Sequence, residues 1–260
     1  MAFWSRNKRS RKAAKKTWHT PGGEVQRLSE MVLDGGAHVM VAGNTRSGKS
    51  TLLHGVMADA LKMYAPCEAG FYFIDPKGVE LDRYKDLPHT MGYTDTEAGA
   101  IAVLRQVRAI MESRFATLKG QHSVETPKYN GKRIYVVIDE MVQPMVSEYK
   151  ADFMRELMVI LSKAGAANIW VIAGTQAPRR DIIPGKLLLY FTLVIGLSMA
   201  SAVESRCALG VKGCEMLPLH GRAIIKYGAE MMTATIPNTN LRDVQDLIDY
   251  WESDAAYSVA

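Results

Sequence analysis

The run Gly43-Asn44-Thr45-Arg46-Ser47-Gly48-Lys49-Ser50 constrains this chain more than any other feature. It fits G-x-x-x-x-G-K-S/T, it follows the strand-like stretch His38 to Ala42, and it precedes a helical pattern at Leu52, Leu53, Val56, Met57, Ala60 and Leu61. The glycines let the backbone curl so that successive N–H groups point at phosphate oxygens, and the helix start adds the positive end of its dipole. In that setting the cradle runs from Gly43 to Thr51. Lys49 is expected to reach the β- and γ-phosphates of ATP, and the Ser50 hydroxyl to ligate Mg2+. The competing reading, a glycine turn with an exposed lysine, has the strand-loop-helix context against it.

A second element is the apolar run Ile134 to Ile138, which ends abruptly in Asp139 and Glu140, ninety residues after Lys49. A protein that hydrolyses its nucleotide needs both acids, Asp139 to hold magnesium and Glu140 to polarise the attacking water, whereas one that only binds nucleotide needs the first. The pair therefore favours Mg2+-dependent ATP hydrolysis over ATP used as a structural clamp. A third run, Ile169 to Ala173, ends at Gly174-Thr175-Gln176. That places a hydroxyl and an amide at the carboxyl edge of a sheet, where ligands bind in open α/β folds. Thr175 or Gln176 could touch the γ-phosphate; an ordinary polar strand end is the alternative.

Around these motifs, short apolar runs alternate with helical patterns, which predicts an α/β domain with a mainly parallel sheet flanked by helices. Strands are expected at His38 to Ala42, Gly70 to Ile74, Ile134 to Ile138, Ile169 to Ala173, Tyr190 to Leu197 and Ala223 to Lys226, with Met231 to Ile236 closing a terminal hairpin. Spacings of three and four predict further helices through Ile101 to Leu118 and Phe153 to Ala164. A last one carries an apolar stripe of Val244, Leu247, Ile248 and Trp251 opposite Asp243, Asp246, Asp249 and Glu252. The expected organisation is a basic tail over residues 1–20, a P-loop ATPase domain over 21–237, and a C-terminal amphipathic helix and tail over 238–260.

Charge is unevenly placed. Residues 1–16 hold seven of the 32 Lys and Arg and no acid, leaving 25 bases against 27 acids elsewhere. The net +5 thus belongs to the tail, and the body is near neutral. No apolar segment follows those charges, so the tail is not a secretory signal. Leu187 to Val203 is uncharged but short and half polar, so it reads as a buried strand and a turn rather than a transmembrane helix. Three cysteines, Cys67, Cys207 and Cys214, support neither a disulfide framework nor a zinc module. A reducing, cytoplasmic compartment follows, with the tail free to grip DNA or anionic lipid at the membrane periphery.

Taken together, HVMVAGNTRSGKS, FIDPKGVEL at Phe73 to Leu81, YKDLPH at Tyr84 to His89, VVIDEM, AGTQAP at Ala173 to Pro178 and SMASAVESR at Ser198 to Arg206 resemble the motor domain of the FtsK/SpoIIIE DNA translocases. The resemblance covers about residues 36 to 228. It implies a RecA-like P-loop core and a ring, taken as a hexamer, with ATP between subunits and double-stranded DNA in the channel. By position it implies that Lys49 and Ser50 hold phosphate and magnesium, and that Asp139 and Glu140 are metal ligand and base. Gln176 would sense the γ-phosphate, and Arg206 would be inserted into the neighbour's site. Ser198 to Arg206 follows a strand expected on the far side of the sheet from the phosphate loop, which is why the neighbour's nucleotide is its expected target. Asp75 and Lys77 match the family run without a chemical step, and a turn-stabilising salt bridge between them is as good a reading.

The chain departs from the family pattern at Arg46, where glycine is usual. There is no room before Gly36 for the family's preceding domain, no multi-pass anchor, and only 24 residues after Ile236, too few for its winged-helix module. That minimal form suits conjugative or mobile-element DNA transfer; a virus genome-packaging ATPase and a type VII secretion-like protein-translocating ATPase remain alternatives. Because the body is neutral, duplex contacts must be local. Arg179, Arg180 and Lys186 are the leading DNA-binding candidates, and Lys119 to Arg133 the weaker one, with a solvated loop as the alternative for both.

Overall fold

The computed structural model describes residues 28–119, 128–236 and 238–258. The basic tail and most of the Lys119 to Arg133 segment lie outside the described residues. Eight strands form one sheet in the order β3-β2-β4-β5-β1-β6-β7-β8. They are β1 (Val39–Ala42), β2 (Ala69–Ile74), β3 (Thr90–Thr94), β4 (Arg133–Ile138), β5 (Ile169–Thr175), β6 (Leu193–Gly196), β7 (Arg222–Tyr227) and β8 (Glu230–Thr235). The strands from β3 to β6 pair in parallel, and β7 and β8 add an antiparallel hairpin.

The central strands are apolar along most of their length because both faces of the sheet are covered. In β1, Val39 and Val41 pack into one cluster with α1 (Leu28–Asp34), α2 (Lys49–Met63) and α8 (Leu241–Ser258). Met40 and Ala42 pack into the other with α3 (Glu97–Leu118), α5 (Lys150–Lys163) and α7 (Ala202–Leu209). Two short helices, α4 (Val142–Val146) and α6 (Gly185–Leu188), lie in the connections after β4 and β5. In α8 the predicted stripe is buried at Val244, Ile248 and Trp251, the Trp251 indole donates to the Leu61 carbonyl at 3.0 Å, and the four acids face outward. Burying each such apolar side chain contributes about 1.5–3 kcal/mol.

Two expectations need correction. The strand predicted from Tyr190 begins only at Leu193, because α6 and a following turn take up the residues before it. More consequentially, β6 is not on the far side of the sheet: it pairs directly with β1, and the Asn44 amide donates to the Ser198 carbonyl at 2.9 Å. Strand order is a property of the crossovers and leaves no trace in local pattern. Among the described residues no helix is long and apolar enough to cross a membrane.

Candidate active site

At the carboxyl edge of β1 the chain turns at Gly43 and enters α2 through Gly48, whose φ of 96° is left-handed and suits glycine. A Cβ on Gly43 would lie 2.5 Å from the Ser47 hydroxyl and 2.6 Å from Leu197, so the loop's close approach to the β6 end needs glycine there. Among the described residues no side chain caps α2. The first-turn amides of Lys49, Ser50 and Thr51 have no intrahelical acceptor, which makes them anion donors. Among the described residues the buried Ser47 hydroxyl has no partner. Arg46, in the position where glycine is usual, has φ 65° and an exposed side chain.

The acids arrive from β4. Asp139 and Glu140 are 1 % and 4 % exposed, and Lys49 is 5 % exposed. The Lys49 ammonium donates to the Asp139 carboxylate at 2.6 Å and to the Asp139 carbonyl at 2.5 Å. Gly174 makes this approach possible, since a Cβ there would sit 2.1 Å from the Asp139 carbonyl oxygen. The Glu140 carboxylate accepts from the amides of Val142 at 3.1 Å and Gln176 at 3.0 Å. Burial pushes its pKa above the ordinary carboxylate value, against the opposing pull of Lys49. A donor set of uncapped amides, an orphaned hydroxyl and an ammonium fits the phosphates of a nucleotide. Ser50 and Asp139 supply the hard oxygen donors that Mg2+ prefers.

Gln176 joins this arrangement: its side-chain carbonyl accepts from the Thr45 hydroxyl at 3.0 Å, so it is tied to the phosphate loop. Thr175 is fully buried and its carbonyl receives the Gly43 amide at 3.1 Å, leaving it a structural part. The run after β2 also reaches the site. Asp75 makes no salt bridge to Lys77; its buried carboxylate instead accepts the amides of Val79, Glu80 and Leu81 at 2.9, 2.9 and 2.8 Å. That turn delivers Glu80, which lies in the FIDPKGVEL run but was given no role from sequence, to His54 of α2. The His54 hydrogen bond, first among several causes, holds the Glu80 carboxyl down at about 2.

The remaining candidates lie apart from this cluster. Arg206 is exposed on α7 and, among the described residues, has no carboxylate at ion-pair distance. Glu204 on the same helix accepts the Ala200 amide at 3.0 Å near the helix start. Arg179, Arg180 and Lys186 are all exposed in the segment between β5 and β6. Arg179 is engaged by Asp181, with nitrogen–oxygen distances of 3.2 and 2.9 Å. Arg133, from the weaker basic segment, is taken up at the opposite edge of the sheet by Asp34 at 2.7 Å.

Comparison with known proteins follows the same lines. A model described as the FtsK/SpoIIIE family matches residues 3–224. DNA translocase FtsK of Staphylococcus epidermidis is 29 % identical over 232 residues, covering 82 % of this chain and 29 % of that protein. The protein of the same name from Rickettsia bellii is 27 % identical over 254 residues, with 82 % and 34 % covered. The chain thus spans about a third or less of the length of these curated relatives. Among solved structures, the pCW3 conjugation coupling protein TcpA, in monomer form with ATPγS, superposes with a TM-score of 0.70 at 22 % identity, covering 83 % of this chain and 65 % of that one. EssC (ATPases 2 and 3) from Geobacillus thermodenitrificans gives 0.68 at 20 % identity, with 85 % and 45 % covered. At these identities the two likenesses are likenesses of fold, that of an α/β RecA-like P-loop core. The match over most of its length means that this chain belongs to the FtsK/SpoIIIE family.

Proposed function

We propose that the chain is an ATP-driven double-stranded DNA translocase motor that hydrolyses Mg2+-ATP and works as a ring, taken as a hexamer, with nucleotide between neighbours. The carrying observation is the buried convergence of Lys49, Asp139 and Glu140 on an uncapped glycine loop, in a chain whose family relatives bear the name DNA translocase. Conjugative or mobile-element transfer is the proposed setting, in line with the conjugation coupling protein among its fold neighbours. The proposed location is the cytoplasm or its membrane face.

In this reading the amides of residues 45–51 and the Lys49 ammonium hold the β- and γ-phosphates. Ser50 and Asp139 would hold Mg2+, which when bound offsets phosphate charge as a Lewis acid. Glu140 accepts the proton of the water that attacks the γ-phosphorus as the bond to the β–γ bridging oxygen breaks, giving ADP and phosphate. Its raised pKa suits that role. Gln176, tied to both Thr45 and Glu140, senses whether the γ-phosphate is present. Arg206 is proposed to serve a neighbouring copy's nucleotide; its exposure and its want of an ion pair among the described residues support this, whereas strand topology does not. Arg179, Arg180 and Lys186 are proposed to meet the duplex.

ATPase rates measured without polymer, with duplex DNA, with single-stranded DNA and with an export-type protein substrate test the reading. Duplex DNA should stimulate most. Neutralising Arg179, Arg180 and Lys186 should flatten the salt dependence of duplex binding, by about 0.9 in log–log slope for each phosphate left without its cation, with DNA-free hydrolysis retained. Stimulation by protein and not by DNA would move the chain to protein export instead.

A further inference from the structure

The side chain of Arg46 has no step in the reading above, and the backbone under it is strained. The Ser47 amide donates to the Asn44 carbonyl at 3.0 Å, closing a turn with Thr45 and Arg46 at its centre. The second central position has φ 65°, a conformation that glycine takes freely and that an arginine resists. Strain of this kind persists where the surroundings or the chemistry require the residue. The surroundings do not require this one: the Arg46 side chain is exposed and, among the described residues, has no carboxylate at ion-pair distance. A cation is thus kept, at a conformational cost, in the middle of a loop whose amides face an anion.

The place of the turn in the cradle decides which part of that anion lies within reach. The Thr45 hydroxyl donates to the Gln176 side chain at 3.0 Å, and the Gln176 amide donates to the Glu140 carboxylate at 3.0 Å. The turn therefore stands on the wall that carries Glu140, whereas Lys49, Ser50 and Thr51 form the start of α2. Glu140 is the acid assigned to the attacking water, so the phosphate on its wall is the transferred one. We propose that the Arg46 guanidinium folds over the cradle and hydrogen-bonds the γ-phosphate, so that the site holds a nucleoside triphosphate more tightly than a diphosphate. The inference rests on the proposed Mg2+-ATP reading and adds a side chain to a loop that otherwise binds through its amides and Lys49. The planar fork of N–H donors suits two oxygens of one phosphate, which a lysine in that position would not match. It differs from a solvated cation, which would leave triphosphate and diphosphate affinities in the same ratio with or without it.

The test is equilibrium binding of a fluorescent, non-hydrolysable ATP analogue and of the matching ADP analogue to the whole chain, with Mg2+ present, for wild type, Arg46→Lys and Arg46→Gly. Glycine suits the turn, so Arg46→Gly removes the cation without straining the loop. It should bind the ATP analogue about 10-fold more weakly, the lower end for a charge-assisted hydrogen bond because the group is exposed, and the ADP analogue within about twofold of wild type. Arg46→Lys should fall between the two, keeping the charge and losing the fork. Unchanged or tighter binding of the ATP analogue by Arg46→Gly would overturn the proposal, and weaker self-association in that case would give the guanidinium to a second copy instead. An equal loss for both nucleotides would overturn it as well, since it would mark a general attraction for anions. A wild-type chain that binds neither nucleotide would instead sink the ATP reading itself.

Discussion

The two edges of the sheet both bury polar side chains, but they treat them differently. At the amino edge most of the polar groups find partners within the chain, the buried His89 Nδ1 being an exception among the described residues. Arg133 donates to Asp34, to the Leu33 carbonyl and to the hydroxyls of Tyr64 and Tyr135, at 2.7, 3.0, 2.7 and 3.2 Å. Those hydroxyls in turn donate to Asp34 at 2.8 Å and to the Leu33 carbonyl at 2.7 Å. Buried His38 accepts the Val171 amide at Nδ1 at 3.0 Å. At the carboxyl edge Ser47 is orphaned, Glu140 is pushed up by burial, and Arg46 holds its cation in solvent. Each edge also has one non-glycine residue in the left-handed region, Asn168 at φ 54° and Arg46 at φ 65°. Asparagine tolerates that conformation and here uses its amide on the Gly131 carbonyl and its oxygen on the Trp170 indole, at 3.0 and 3.2 Å. Arginine has no such recourse. The contrast separates groups that hold the fold from groups reserved for chemistry, because strain and unpaired polar atoms persist where function requires them.

If the carboxyl edge needs a group from another copy, Arg206→Ala should lower ATP turnover about a thousandfold while leaving the unfolding midpoint unchanged. Mixing it with Lys49→Ala subunits, which keep Arg206 but lack the phosphate lysine, should restore activity at interfaces that combine a sound loop with a sound arginine. No recovery in rings demonstrated to be mixed would return Arg206 to its own chain.

Breaking the amino edge should cost stability instead. Burial lowers the His38 pKa from 6.5 to about 4, so the unfolded chain takes up the proton first as pH falls. The stability that neutral His38 contributes is complete above pH 6.5 and is lost progressively toward pH 4. Between pH 7 and pH 5 this one group should lower the unfolding free energy by about 2 kcal/mol, read by urea denaturation, and His38→Asn should remove that part of the pH dependence.

These outcomes bear on what the sequence could disclose. The glycine loop, the strand ending in Asp139 and Glu140, and the helices with clear spacing were legible because each is a local pattern with a local cause. β3 was not: it lies at the sheet edge, pairs only with β2, and its five residues are at most half-buried, so Thr90 to Thr94 carry no apolar run. The placement of β6 beside β1, and with it the surroundings of Arg206, depends on crossovers between distant segments. Asp75 was visible as part of a motif, but its use of backbone amides instead of the Lys77 side chain is decided by three-dimensional turn geometry.

The smallest expected effect sharpens the comparison of left-handed residues. Arg46→Gly should stabilise the chain by about 0.5–1 kcal/mol, the conformational strain less the added backbone entropy of glycine. Asn168→Gly, which gives up two hydrogen bonds, should destabilise by about 1 kcal/mol. Thermal unfolding of both variants checks the opposite signs, and equal signs would erase the distinction between the edges.

The most direct measurement is ATP binding and ATP turnover determined side by side in wild type, Glu140→Gln and Lys49→Ala. If the carboxyl edge is a hydrolytic site with Glu140 as base, Glu140→Gln should bind ATP within a few-fold of wild type and turn over about 10²–10⁴-fold more slowly, whereas Lys49→Ala should lose both. A Glu140→Gln chain that hydrolyses ATP at near the wild-type rate would contradict the assignment.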